Sequence, residues 1–467
     1  MEYYHVILFL LAIAIAISAL APRVKVPYPV LLMVVGIAVG FIPGFHYVPI
    51  DPDVVFLLFL PPLLYDAAVN MPFKDFKANF GTISMMAVTL VFISMIAIAI
   101  VARFLIPGIS WPVAFVIGAI LSPPDAIATS GITKSLQLSH RTNTILEGES
   151  LINDASALTA YRIALGVAIG GIFSVWEAGL EFVVTIMGGC LIGAIMAFLF
   201  GYTVSKVKLE STAIVSLNLM LPFVAYQFAE ELNVSGVLAV VFMGVLIAGH
   251  VHKNKLLSDV TRVQSRSVWN TIIYLLSGLV FILIGLELPQ VLREIPSSSV
   301  IPLVISAFAI FVIALLIRII VVFRHKFKLD KLVSIVNSDG YGTKISSRRA
   351  ERIKHVKALT WKDALLIGWS GMRGIVSVAT AIALPVTLDD GTIFHQRNSI
   401  IFLTVLVVVL MLLIQGMGLP LLIKWLKIES GDEDIEQKTE SAPSNKKDSG
   451  YYRSLFYIIR AIIHLSV

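Results

Sequence analysis

Long apolar runs, broken by short polar or turn-rich stretches, repeat from the first residues to about residue 426. A helix that crosses a bilayer needs about 20 mostly apolar residues, and the runs supply about thirteen such segments. Their approximate limits are 5–21, 28–43, 54–69, 80–106, 111–132, 145–171, 176–204, 211–229, 234–251, 268–288, 299–323, 362–386 and 398–426. The pattern predicts an all-α polytopic membrane protein. Composition agrees, with 57% hydrophobic and 14% charged residues, against about a quarter charged in a soluble domain. A soluble domain with one anchor would concentrate this apolarity instead of spreading it.

The loops alternate in charge. One set carries Arg23 and Lys25, Lys74 and Lys77, Lys134 and Arg141, Lys206 and Lys208, Lys253 to Arg266, and the basic stretch Arg324 to Lys357. The other carries Glu2, Asp51 and Asp53, Arg103, Glu230 and Glu231, Arg293 and Glu294, and Asp389, Asp390 and Arg397. Basic loops stay in the cytoplasm, which puts the N-terminus outside and the C-terminus inside a cell membrane, as in a bacterial inner membrane. The same argument accounts for the net charge of +6 through topology, with no nucleic-acid partner. One cysteine, Cys190, lies in an apolar run, so no disulfide framework or metal cluster is expected. The first run starts without a basic leader region, and no removable signal peptide is expected. The loop 325–357 reads as a solvated connection. Residues 428–450 read as a disordered linker, and 451–467 as a possible amphipathic helix on the inner leaflet.

Two acids sit inside apolar segments: Asp125 after Pro123-Pro124, and Asp154 in Glu-Gly-Glu-Ser-Leu-Ile-Asn-Asp. A charge in hydrocarbon costs roughly 2.5–3.5 kcal/mol even on the lenient scale, and chains that keep one usually move an ion past it. Pro123-Pro124 should interrupt the fifth span, and Gly371-Met372-Arg373-Gly374 should interrupt the twelfth. Paired breaks at mid-membrane point to a transporter site, because unwound backbone and helix ends can hold ions. On the acidic helix, Glu149 stands above Asn153 and Ser150 above Asp154. These oxygens suit hard cations. A carboxylate in apolar surroundings takes a proton readily, and a cation against the same oxygens favours the ionised form. Competition at Asp154 and Asp125, with alternating access, is sufficient for exchange.

Buried arginines need partners. The candidates are Arg162, Arg318 and Arg373, and Glu149 is expected to pair with Arg318 or Arg373 as a structural ion pair. Snorkelling of Arg318 to the inner face is the alternative. Asp66 and Arg162 are possible secondary participants. Glu287, in Ile-Gly-Leu-Glu-Leu-Pro, is expected at the outer interface.

The runs Ser122-Pro-Pro-Asp-Ala, Ile145-Leu-Glu-Gly-Glu-Ser-Leu-Ile-Asn-Asp and Gly371-Met-Arg-Gly resemble the monovalent cation:proton antiporter-1 family. That family holds the bacterial NhaP-type antiporters and the animal sodium/proton exchangers. Leu60-Pro-Pro-Leu-Leu-Tyr-Asp resembles its third-span motif. The resemblance implies the inverted-repeat antiporter fold with two broken crossing helices, over residues 1–427, as a homodimer in the bilayer. It implies core helices at about 80–171 and 299–426 moving against dimerisation helices at about 5–69 and 176–288. Asp154 and Asp125 would hold Na+ or a proton, Asn153 and Ser150 would line the site, and Glu149 would be tied to Arg318. Asn153 marks the electroneutral members. Transported Na+, Li+ or K+ and protons would be cargo, with no resident cofactor. Many sodium-selective members carry Thr-Asp-Pro at the first break, where this chain has Pro124-Asp125-Ala126; potassium/proton exchange is therefore the alternative. An intramembrane aspartyl protease would lack its Gly-x-Gly-Asp context here, and a passive channel would show no coupling to protons.

Overall fold

The computed structural model describes residues 2–20, 26–42, 52–71, 73–125, 129, 140–170, 174–207, 209–254, 258–337, 359–388 and 391–426. Among these the protein is helical, with one isolated antiparallel bridge between Thr387 and Ile393 as its only β contact. In chain order the helices are α1 (Glu2–Leu20), α2 (Tyr28–Gly40), α3 (Pro52–Asn70), α4 (Phe73–Ser84), α5 (Val91–Leu105), α6 (Trp111–Leu121), α7 (His140–Ile169), α8 (Val175–Lys206) and α9 (Ser211–Glu231). There follow α10 (Gly236–Asn254), α11 (Asp259–Glu294), α12 (Ser297–Asn337), α13 (Trp361–Trp369), α14 (Ile375–Ile382), α15 (Arg397–Met411) and α16 (Met417–Leu426). π-Helical turns at Met85–Leu90 and Leu412–Gly416 join α4 to α5 and α15 to α16 without ending either rod.

Six of these rods are long and apolar enough to cross a membrane: Asp75–Leu105, Trp176–Lys206, Ser211–Glu231, Asp259–Glu294, Ser297–Lys331 and Arg397–Leu426. The other apolar helices are shorter, down to the half-helices at the two breaks. Exposed side chains along the rods are largely apolar, as on α8, where Trp176, Leu180, Leu191 and Phe198 all face outward. Such a surface is stable only against hydrocarbon or another apolar face.

Small residues set the closest packings. A Cβ on Gly285 would come within 2.2 Å of the Met33 carbonyl oxygen, and one on Gly36 within 2.2 Å of that of Ile282. Helices α2 and α11 therefore touch backbone to backbone. Helices α8 and α10 pack in the same manner, with α3 and α9 beside them; α5, α6 and α7 form a second cluster, joined by α12, α13 and α15. Buried polarity between α3, α9 and α11 is fully used. Asn218 donates to the Tyr65 hydroxyl at 2.6 Å and accepts from Trp269 Nε1 at 2.7 Å.

One expectation changes. The basic stretch after residue 324 is not wholly a loop, because α12 continues to Asn337. Lys326 pairs with Asp330 one turn on, so polar residues carry the helix beyond the apolar run. The linker at 428–450, the amphipathic segment at 451–467 and the end of the fifth span at 132 lie outside the described residues.

Candidate functional site

Two interrupted helices cross in the interior. Helix α6 stops at Leu121, where Pro123 and Pro124 supply no backbone donors to continue it. Helix α13 stops at Trp369, and Ser370–Gly374 runs irregularly into α14. The two irregular segments bond to each other: the Asp125 amide donates to the Met372 carbonyl at 2.7 Å, and the Ile375 amide donates to Asp125 Oδ2 at 3.0 Å. The Asp125 carboxylate thus sits on the N-terminal end of α14, where free N–H groups and the helix dipole favour negative charge. Gly374 makes this possible, since a Cβ there would stand 1.7 Å from Asp125 Oδ2.

The opposite ends of the half-helices expose carbonyls that need donors. Arg373 supplies them for α6, with Nε on the Leu121 oxygen at 2.8 Å and Nη2 on that of Ser122 at 3.4 Å, while its Nη1 donates to the Gly371 oxygen of its own irregular segment at 2.7 Å. Ser377 Oγ, one turn further on, donates to the Ile120 oxygen at 2.7 Å. At the end of α13, Thr129 Oγ1 donates to the Ser370 oxygen at 3.1 Å and Arg318 Nε to that of Ile367 at 3.0 Å. At the end of α14, Arg397 donates to the oxygens of Ile382 and Leu384, each at 2.8 Å. A cation near the C-terminal end of a helix also stabilises its dipole.

Helix α7 lies against the first break. Asn153 Nδ2 at 2.9 Å and Ser150 Oγ at 3.4 Å both donate to the Pro124 carbonyl oxygen. Asn153 Oδ1 is buried and has no hydrogen-bond partner among the described residues. Asp154, only 4% exposed, accepts no hydrogen bond among the described residues and lies within electrostatic reach of Asp125. Behind it Glu149 and Arg318 form a bidentate pair at 2.6 and 2.7 Å. Gly371 leaves room for that guanidinium, since a Cβ there would meet Arg318 Cδ at 2.3 Å.

The structure thus gathers Asp125, Glu149, Ser150, Asn153, Asp154, Arg318 and Arg373 at one crossing. Arg373 does not pair with Glu149; helix-end carbonyls satisfy it instead. Arg318 does not snorkel, and its side chain is 3% exposed. Arg162 is not buried: its side chain is 43% exposed and pairs with Glu230. Asp66 accepts from Asn70 Nδ2 at 2.8 Å, one turn along α3. Glu287 is buried within the protein. Sequence reasoning passed over Ser377, Thr129 and Arg397, although Thr129 follows Asp125, and Ser377 follows Arg373, at the four-residue spacing that marks a shared helix face.

The family model described as "Sodium/hydrogen exchanger, transmembrane" matches residues 8–425. A sodium, potassium, lithium and rubidium/H(+) antiporter of Bacillus pumilus is 32% identical over 430 residues, covering 90% of this chain and 61% of that protein. The chain thus spans about three fifths of that relative's length. The Na(+)/H(+) antiporter NhaH of Halobacillus aidingensis is 30% identical over 434 residues, covering 90% of this chain and 97% of that one. In fold, the chain is similar to the sodium proton antiporter MjNhaP1 of Methanocaldococcus jannaschii, with a TM-score of 0.66 at 18% identity over 92% of this chain and 99% of that one.

Proposed function

The chain belongs to the transmembrane sodium/hydrogen exchanger family, and on that premise we propose that it exchanges monovalent cations, sodium first, for protons. The observation that carries the proposal is Asp154. It is a buried carboxylate within electrostatic reach of a second one, Asp125, and among the described residues it accepts no hydrogen bond and the neighbouring Asn153 Oδ1 has no partner. An uncompensated charge in hydrocarbon is costly, so the site is occupied either by a proton on a carboxylate or by a cation against the same oxygens. Asp154, Asp125, Asn153 and Ser150 supply the oxygens. Glu149–Arg318 and Arg373 hold the frame: the pair ties α7 to α12, and Arg373 holds the broken ends in register.

Alternating access follows if the helices around the crossing move against the others. Helices α4–α7 and α12–α16 would form the moving core, and α1–α3 with α8–α11 the dimerisation part of a homodimer. The basic loops support an N-terminus outside and a C-terminus in the cytoplasm. Potassium is the second reading, favoured by the breadth of cations in the Bacillus relative's name.

Proton flux into proteoliposomes with an internal pH dye tests the proposal. Added sodium or potassium should drive flux in wild type and none in Asp154→Asn. Equal flux in the variant would remove Asp154 from the mechanism, and no cation-linked flux in wild type would remove antiport.

A further inference from the structure

Helix α7 presents two different faces. Ser150 and Asn153 bond to the first break, and Asp154 shares their side of the helix; by helical spacing Ile152, Ala155 and Ser156 lie on the opposite side. That second face lines a cavity of about 560 Å³ whose other walls come from α4, α8 and α10. The gap interrupts otherwise close packing. Helices α8 and α10 touch backbone to backbone, since a Cβ on Gly189 would come within 2.5 Å of the Ser235 oxygen and one on Gly193 within 2.4 Å of that of Ala239.

The cavity is lined as hydrocarbon would require. No charged side chain reaches it, and only Ser84, Ser156, Cys190 and the Trp176 indole bring a polar atom. The Ser156 hydroxyl is already spent on the Ile152 oxygen at 3.3 Å. A buried water needs about two to four polar partners, so these groups cannot fill the space with water, and an empty void costs stability in proportion to its volume. The mouth lies on the outward side of α8, where Leu180 and Met187 at the rim are 56% and 44% exposed, while Ala155, Leu238 and Val241 at the floor are buried. Trp176, 82% exposed, stands at the start of α8, and tryptophans favour the membrane–water interface. From Trp176 to Cys190 the lining follows α8 for about 21 Å of helix, longer than the roughly 15 Å of hydrocarbon in one leaflet.

We propose that this cavity binds one acyl chain of a membrane lipid, with the headgroup held at the interface beside Trp176 and the chain running along α8 to the back of α7. Its shape selects the occupant. A volume of about 560 Å³ spread over about 21 Å averages roughly 27 Å² in section, against about 80 Å² for a helix 10 Å across. A helix from a second copy could cover the rim but not enter; a single hydrocarbon chain reaches the floor. Bound there, the chain replaces interlocked side chains between α7 and the α8–α10 pair, so α7 can shift without prising apart a close-packed seam. That mechanical role rests on the moving-core reading above, whereas the lipid site stands without it.

Photolabelling in liposomes tests this, with phosphatidylethanolamine carrying a diazirine midway along one acyl chain and the adducts located by mass spectrometry. Label on the floor residues Ala155, Leu238 and Val241 is expected. Label confined to exposed positions, such as Leu180 on α8 and Phe308 on α12, would mean surface lipid only and overturn the site. A Cβ on Gly179, in the cavity wall, meets nothing within 4 Å. Gly179→Trp should therefore fill the space and remove the floor label, and Gly179→Ala should keep it; floor label unchanged in folded Gly179→Trp would overturn the site. Adding the same lipid without diazirine to delipidated protein in detergent should raise the apparent melting temperature more in wild type than in Gly179→Trp, and an equal rise would also count against it. Neither readout needs cation-driven proton flux, so the lipid site and the antiport reading fail separately.

Discussion

Replacing Arg318 with methionine keeps an extended apolar side chain while removing the charge that Glu149 faces. Two guanidinium nitrogens lie 2.6 and 2.7 Å from the two carboxylate oxygens, and the side chains are 3% and 1% exposed. Removing one partner of such a pair costs about 3–5 kcal/mol, because the remaining charge stays buried and uncompensated. The Ile367 carbonyl also loses its donor at 3.0 Å, which adds about 1–3 kcal/mol. Arg318→Met should therefore lose roughly 4–8 kcal/mol. Glu149→Met strands the guanidinium and should lose about 3–5 kcal/mol. The double variant strands neither charge, and it should be more stable than either single one. Apparent melting temperatures of the four proteins in one mild detergent, read by size-exclusion after heating, complete the cycle. If the double variant falls by the sum of the two single losses, the residues do not act on each other and the pair does not hold the frame.

Two further substitutions probe the frame. Gly374→Ala places a Cβ where Asp125 Oδ2 now lies, 1.7 Å away. It should displace the carboxylate from the Ile375 amide and abolish cation-driven proton flux in liposomes, at a stability cost of about 1–3 kcal/mol; normal flux would show that this placement is not needed. Asn218→Leu leaves the Tyr65 hydroxyl and Trp269 Nε1 without their 2.6 and 2.7 Å partners. It should lower stability by about 2–3 kcal/mol, seen as a drop in melting temperature, with exchange retained in the protein that survives.

The first break was legible because Pro123-Pro124 removes two backbone donors directly before a buried acid; proline alone does not decide it, since α3 runs on through Pro61-Pro62. Asp154 and Asp125 were legible because acids stand out in apolar runs. The partner of Arg373 was not, since the carbonyls it holds become available only when residues around 121 and 373 meet in space. Arg162 sits among apolar neighbours in sequence, yet its side chain leaves the helix to reach Glu230 on α9. The apolar run around Glu287 ends near residue 288, yet α11 continues past Pro289 to Glu294, two turns beyond Glu287. Hydropathy reports where apolar residues stop, not where the helix does, and the same gap explains the extension of α12.

The buried charges at the crossing have an electrical consequence. Arg318 and Arg373 offset two of the three carboxylates Glu149, Asp125 and Asp154, leaving one negative charge when all are ionised. A single monovalent cation cancels it, and so does a single proton. The loaded crossing then carries no net charge in either direction. A membrane voltage of 100 mV exerts about 2.3 kcal/mol on each elementary charge moved through it, and here it would find nothing to pull. On the exchange proposed above, transport should therefore run on concentration gradients alone, at the same rate in polarised as in depolarised vesicles.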